Sequence, residues 1–192
     1  MTSEQFLEHI RPELEAQDIS INIAEVLGGF GGWFSEEDRE LCVWKHNPVF
    51  FETLVHEYCH FLQYRDKYDF WTKHNTHTDA LFSWLNGEIE LKPHSKKVNT
   101  HGAIAIEWDC EQMSLKYIKE YNLPIDHEFY SRSASAYIFS YYTTAEARKW
   151  PVASLYTPEV IENSPELREL DFYLNKRNLS KKLKNALQQK YK

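Results

Sequence analysis

Five consecutive residues, His56-Glu57-Tyr58-Cys59-His60, set two imidazoles four positions apart with a carboxylate beside the first. No other feature constrains the fold as tightly. Residues four apart on an α-helix differ by only about 40° around the axis and by one turn along it. On a helix, therefore, the two rings can close on one metal ion and Glu57 can reach a water held there. The pattern requires a helix at this point and points to zinc-dependent hydrolysis.

The flanking sequence supplies that helix over residues 48–64. Asn47 and Pro48 suit its cap and first position. Phe51, Leu54, Tyr58, Phe61 and Leu62 fall on one side, and Glu52, Thr53, His56, His60 and Gln63 on the other.

At 192 residues, with 42% hydrophobic and 15% aromatic residues, the chain can bury a core and reads as one domain spanning 1–192. The net charge of −7 provides no basic footprint, so no nucleic acid is expected as a partner. Basic residues after Lys176 read as the solvated face of a terminal helix. Three cysteines, Cys42, Cys59 and Cys110, are too few for a disulfide framework and suit a reducing compartment. With no leader-like N-terminus and no apolar run of spanning length, no membrane association is expected and the cytoplasm is the expected location.

Periodicity places a helix over residues 3–17 and an alternating strand over 18–26. A glycine-rich reversal follows at 28–32, then short strands at 33–34 and 41–45. After the H-E-x-x-H helix, a loop is expected over 68–76, a helix over 78–86 stopped by Gly87, and a polar linker over 91–100. Further helices are expected over 102–121 and 126–150, with Pro151 ending the second. The class is α+β: a mostly helical single domain with a small sheet before the H-E-x-x-H helix. Its core spans about 19–150, with a helical extension over 151–192.

A catalytic zinc commonly has three protein ligands and an open position, often two His and one carboxylate. Glu107, Asp109 and Glu111 share the later helix. Helical phase puts Glu107 and Glu111 within its broad apolar arc and Asp109 on the opposite, solvated side. Carboxylates on a buried face need a partner or a metal. Glu107 is assigned as the ligand and Glu111 as the group that accepts from a ligand imidazole. The exchanged roles, or a plain core pairing of both acids with an Arg or Tyr, fit the same phase.

H-E-x-x-H followed by E-x-x-x-E at His56, Glu57, His60, Glu107 and Glu111 resembles the gluzincin pattern of zinc metallopeptidases. The order of strand, glycine turn, strand and active helix resembles the small members called minigluzincins, and the Asp109-Cys110-Glu111 run is similar to uncharacterised phage-type proteins of this class. If phage-encoded, the chain's location is the host cytoplasm. The pattern usually has Asp where Glu111 stands. The resemblance implies a zincin-like fold, one Zn2+ ion, and a protein or peptide substrate. It also implies an edge strand that pairs with extended substrate, for which Gly32, Trp33 and Phe34 are the candidates.

In the implied chemistry Glu57 is the general base. A donor to the oxyanion is still needed, and Tyr137 and Tyr141, on a tyrosine stripe of the helix at 126–150, are the candidates. Such a stripe also serves packing. His74 and His77, near neighbours in sequence, could form a second metal or regulatory cluster, though loop or surface histidines are commoner. Iron, manganese or cobalt suits the same ligand types as zinc. Two other classes fit this sequence: a metal-binding interaction module with an unused site, and a nucleic-acid-associated regulator on a peptidase-like scaffold.

Overall fold

The computed structural model describes residues 1–25 and 31–192. The chain is mostly helical α+β, with a three-stranded mixed sheet ahead of the H-E-x-x-H helix, as the sequence predicts. It divides into two compact units, Met1–Tyr68 with Cys110–His127, and Asp69–Asp109 with Glu128–Lys192.

The first unit opens with α1 (Ser3–Glu15). Thr2 and Gln5 close a capping box: the Thr2 hydroxyl accepts from Gln5 N–H, and Thr2 N–H donates to the Gln5 side chain at 2.8 Å. Phe6, Ile10 and Leu14, spaced by four, are fully buried. Then come β1 (Ser20–Ala24), β2 (Gly32–Ser35) and β3 (Glu40–Trp44). The strand order is β1-β3-β2, with β1 parallel and β2 antiparallel to β3. Central β3 accordingly buries Leu41, Cys42 and Val43, while β2 is an edge strand. The expected glycine reversal lies partly outside the described residues.

Helix α2 (Phe50–Asp66) packs on β2 and β3 and touches α1. It starts two residues later than the sequence suggests. The Asn47 side chain, instead of capping a helix at Pro48, accepts from Val49 N–H at 3.1 Å and donates to the Thr53 hydroxyl at 2.8 Å. Nor does α2 keep a polar face: Leu54, Val55 and every residue from Glu57 to Gln63 are buried. A helix with neighbours on several sides needs no solvated stripe.

The second unit holds most of α3 (Tyr68–Leu85), residues 93–109 of α4 (Pro93–Glu120) and nearly all of α5 (His127–Ala147). It also holds α6 (Pro158–Glu162), α7 (Leu170–Leu174) and α8 (Lys181–Gln188). Two expectations fail here. The loop expected at 68–76 is helical: Trp71, Thr78, Leu81 and Trp84 anchor α3, and polar residues occupy its open side. The linker expected at 91–100 forms the first turns of α4, with Pro93 at the first position, where its missing N–H costs nothing. Gly87, at φ 79°, ends α3, with Glu88 N–H returning to Ser83 O at 2.9 Å.

Gly102 lets α4 approach α3, since a Cβ there would lie 2.3 Å from His77 Cβ. Asp109, expected in solvent, is half-buried, and its charge acts on His74 of α3. Tyr142, Phe139, Tyr173, Leu183 and Leu187 contribute to the core of this unit. Among the described residues, no helix is long and apolar enough to cross a membrane.

Candidate metal centre

In the first unit, α2 brings the rings of His56 and His60 together edge to face. Their Nε2 atoms are 3.1 Å apart and their rings stand at 90°. Each remote nitrogen has an acceptor behind it. His60 Nδ1 donates to Gln63 Oε1 at 2.8 Å, and His56 Nδ1 donates to Glu111 Oε1 at 3.2 Å. With both rings neutral and Nδ1 carrying the proton in each, as a metal would require, both Nε2 lone pairs would point into the same gap. At that distance either a proton shared between the two nitrogens or a metal ion must lie in the gap. Nitrogens about 2.0–2.1 Å from one zinc ion at a near-tetrahedral angle would be ~3.3 Å apart. The donor pair therefore fits a divalent metal.

Cys110 joins this cluster. One ligand atom from each of His56, His60 and Cys110 can be chosen so that all lie within 4.8 Å of one another, a group able to hold a metal ion. The thiol sits behind His56, though: Sγ is 3.6 Å from Nδ1 and donates to the His56 carbonyl at 3.2 Å. From there it supports the ring and its backbone. Burial alone would lower the basicity of His56, but the Cys110 sulfur and the Glu111 carboxylate outweigh it and hold the imidazolium well above its usual range. A metal ion would displace that proton.

Glu57 is buried, and the edge strand lies against it. A Cβ on Gly32 would fall 3.1 Å from Glu57 Cγ, 2.9 Å from Thr53 Cγ2 and 2.7 Å from the Cys42 carbonyl oxygen. Only glycine lets β2 approach this closely. Phe34, two residues on and on the same face, packs its ring edgewise on Phe61 at 6.0 Å. Trp33 pairs with Cys42 across the ladder and points to the other face.

Glu107, Tyr137 and Tyr141 form a polar cluster in the second unit. The Tyr141 hydroxyl donates to Glu107 Oε1 at 2.8 Å, and the Tyr137 hydroxyl lies 3.5 Å from the same oxygen and 3.3 Å from Tyr141. Burial, then the Glu107 charge, then Tyr141 push the Tyr137 phenol far up, so it keeps its proton and remains a donor. Glu107 itself is buried. Within α4 it stands one turn before Glu111.

Two contributors were not legible as such. Gln63 is three residues beyond His60, on the face the helical phase gives it, but nothing in the sequence says that it is fully buried against Nδ1. Cys110 reads as an apolar residue between two acids. No family model, curated protein or solved structure matches the chain.

Proposed function

We propose that the chain is a zinc-dependent hydrolase of peptide bonds, of the gluzincin kind that its sequence resembles. One observation carries the reading: two imidazole Nε2 atoms converge to 3.1 Å, each ring held from behind at Nδ1 by a buried acceptor, with Glu57 next to the first ring in sequence. His56 and His60 supply two ligands. Glu107 is the third in this reading, an assignment that rests on the sequence pattern. Bound there, the ion would supply Lewis acidity for a carbonyl and a lowered pKa for water.

The chain's own groups do the rest. Glu57 accepts the proton of the attacking water and returns it to the leaving amine. Glu111 and Gln63 hold the rings in the tautomer that leaves Nε2 free to coordinate. The sequence pattern assigns the oxyanion donor to Tyr137 or Tyr141, which would have to exchange its present bond at Glu107 for that role. β2, an edge strand among the described residues, offers main-chain pairing to an extended substrate, and Gly32 brings it against Glu57.

The test is hydrolysis of a mixed peptide library by the zinc-loaded protein, compared with Glu57→Gln. Cleavage by the wild type, reduced at least 100-fold in a variant that keeps its metal, is the expected result. Metal binding without cleavage in either protein would favour an interaction module instead, and undiminished cleavage by Glu57→Gln would remove Glu57 from the chemistry.

A further inference from the structure

A cavity of about 420 Å³ opens in the second unit, and none of the candidate metal ligands lines it. Its volume falls in the ~300–1,000 Å³ range of small-molecule sites. The floor is apolar, made by the buried ring of Tyr142 with Ala145 and Leu174, and backed by Thr100 and His101. The Tyr142 hydroxyl is committed to the Tyr173 carbonyl at 2.8 Å, so the ring presents its apolar surface. Around the mouth stand four cations: Lys96 and Lys97 from the start of α4, and Lys176 and Arg177 from a segment some eighty positions later.

One carboxylate shares this lining, Glu146, and it is already taken: it accepts from Lys176 at 2.5 Å and from Lys184 at 2.9 Å. Lys96 and Lys176 also lie over aromatic rings, those of Trp84 at 5.1 Å and Tyr142 at 5.7 Å. Among the described residues, no carboxylate pairs with Lys96, Lys97 or Arg177. In a chain of net charge −7, like charges from two distant segments meet around one concavity. Glu146, the two rings and solvent offset part of their mutual repulsion, and a bound anion would offset the rest. The 28-residue helix α4 begins at Pro93, on the same lining, and its N-terminal partial charge has the same sign.

We propose that this cavity binds a small organic anion: a phosphate or carboxylate group held by Lys96, Lys97 and Arg177, on a ring-sized apolar body lying against Tyr142, Ala145 and Leu174. None of the candidate metal ligands belongs to this site.

Phenyl phosphate and benzoate are titrated calorimetrically into the full-length chain, with benzyl alcohol (ring without anion) and inorganic phosphate (anion without ring) as controls. Saturable one-to-one binding of phenyl phosphate or benzoate is expected, at least tenfold tighter than either control; the tighter of the two names the anionic group. Lys97→Glu and Arg177→Glu, both at exposed positions, should each weaken it at least tenfold with an unchanged melting temperature. The neutral Lys97→Gln and Arg177→Gln should weaken it less. Absence of saturable binding by both anions would overturn the proposal, as would equal affinity in the charge-reversed variants, or inorganic phosphate binding as tightly as the aromatic anions.

Discussion

Replacing Gly32 with Ala adds one methyl group where the backbone leaves no room for it. The new Cβ would sit 2.7 Å from the Cys42 carbonyl oxygen, 2.9 Å from Thr53 Cγ2 and 3.1 Å from Glu57 Cγ. The first contact cannot be relieved by a rotamer change, because that carbonyl belongs to the central strand. Strand β2 must therefore lift from β3 or α2 must move back. Overpacking of this kind costs about 1–3 kcal/mol. For a chain of this length each kcal/mol lowers the melting temperature by roughly 2–4 °C, so a drop of about 2–12 °C is expected by calorimetry.

Gly87→Asn provides the control. Gly87 has φ 79° and no atom within 4 Å of a built Cβ, and Asn tolerates that backbone, so its change should stay within about 0.5 kcal/mol. Gly32→Ala should also impair any hydrolysis more than metal content, since it displaces the strand and Glu57 but touches neither imidazole. A melting temperature within 1 °C of wild type would refute the packing argument, because the strand could then not lie against Glu57 as described.

Glu111→Gln keeps the volume of a buried side chain but removes the charge behind His56 Nδ1. Loss of such a partner should weaken zinc binding about 10- to 100-fold in chelator competition, and unchanged affinity in a folded variant would exclude the role. Glu146 is held below its usual carboxylate range: burial opposes this, but Lys176 and then Lys184 outweigh it. A depressed folded-state pKa gives stability that is present above the unfolded value, near 4.5, and lost as pH falls through the folded one. The pairs are partly exposed, so the loss should be below about 1 kcal/mol. Wild type and Glu146→Gln should therefore differ slightly in urea midpoint at pH 7 and converge near pH 3; a difference that grows in acid would contradict the assignment.

Much of the architecture is legible in the sequence. Alternation at Ile19, Ile21 and Ile23 and the glycines ahead of Trp33 marked the strand region, and the H-E-x-x-H segment demanded its helix. The polar stretches at 68–76 and 91–100 concealed helices, because their stability comes from a few anchors such as Trp71, Asn99 and Thr100 that composition does not reveal. The local part of the metal centre, two histidines one turn apart, is written in four residues of spacing. Its supports are not. The position of Cys110 behind His56 spans 54 positions of sequence and depends on how the end of α4 packs in the first unit. The burial of Gln63 depends on α2 being enclosed on both sides.

The most direct test is elemental analysis of the purified protein after dialysis against buffered zinc, beside His60→Ala. Two Nε2 atoms 3.1 Å apart should hold one zinc per wild-type chain, and the variant, with a single imidazole left, should hold much less. Wild-type protein with no stoichiometric divalent metal, or a His60→Ala variant that retains as much, would contradict a metal centre at this site.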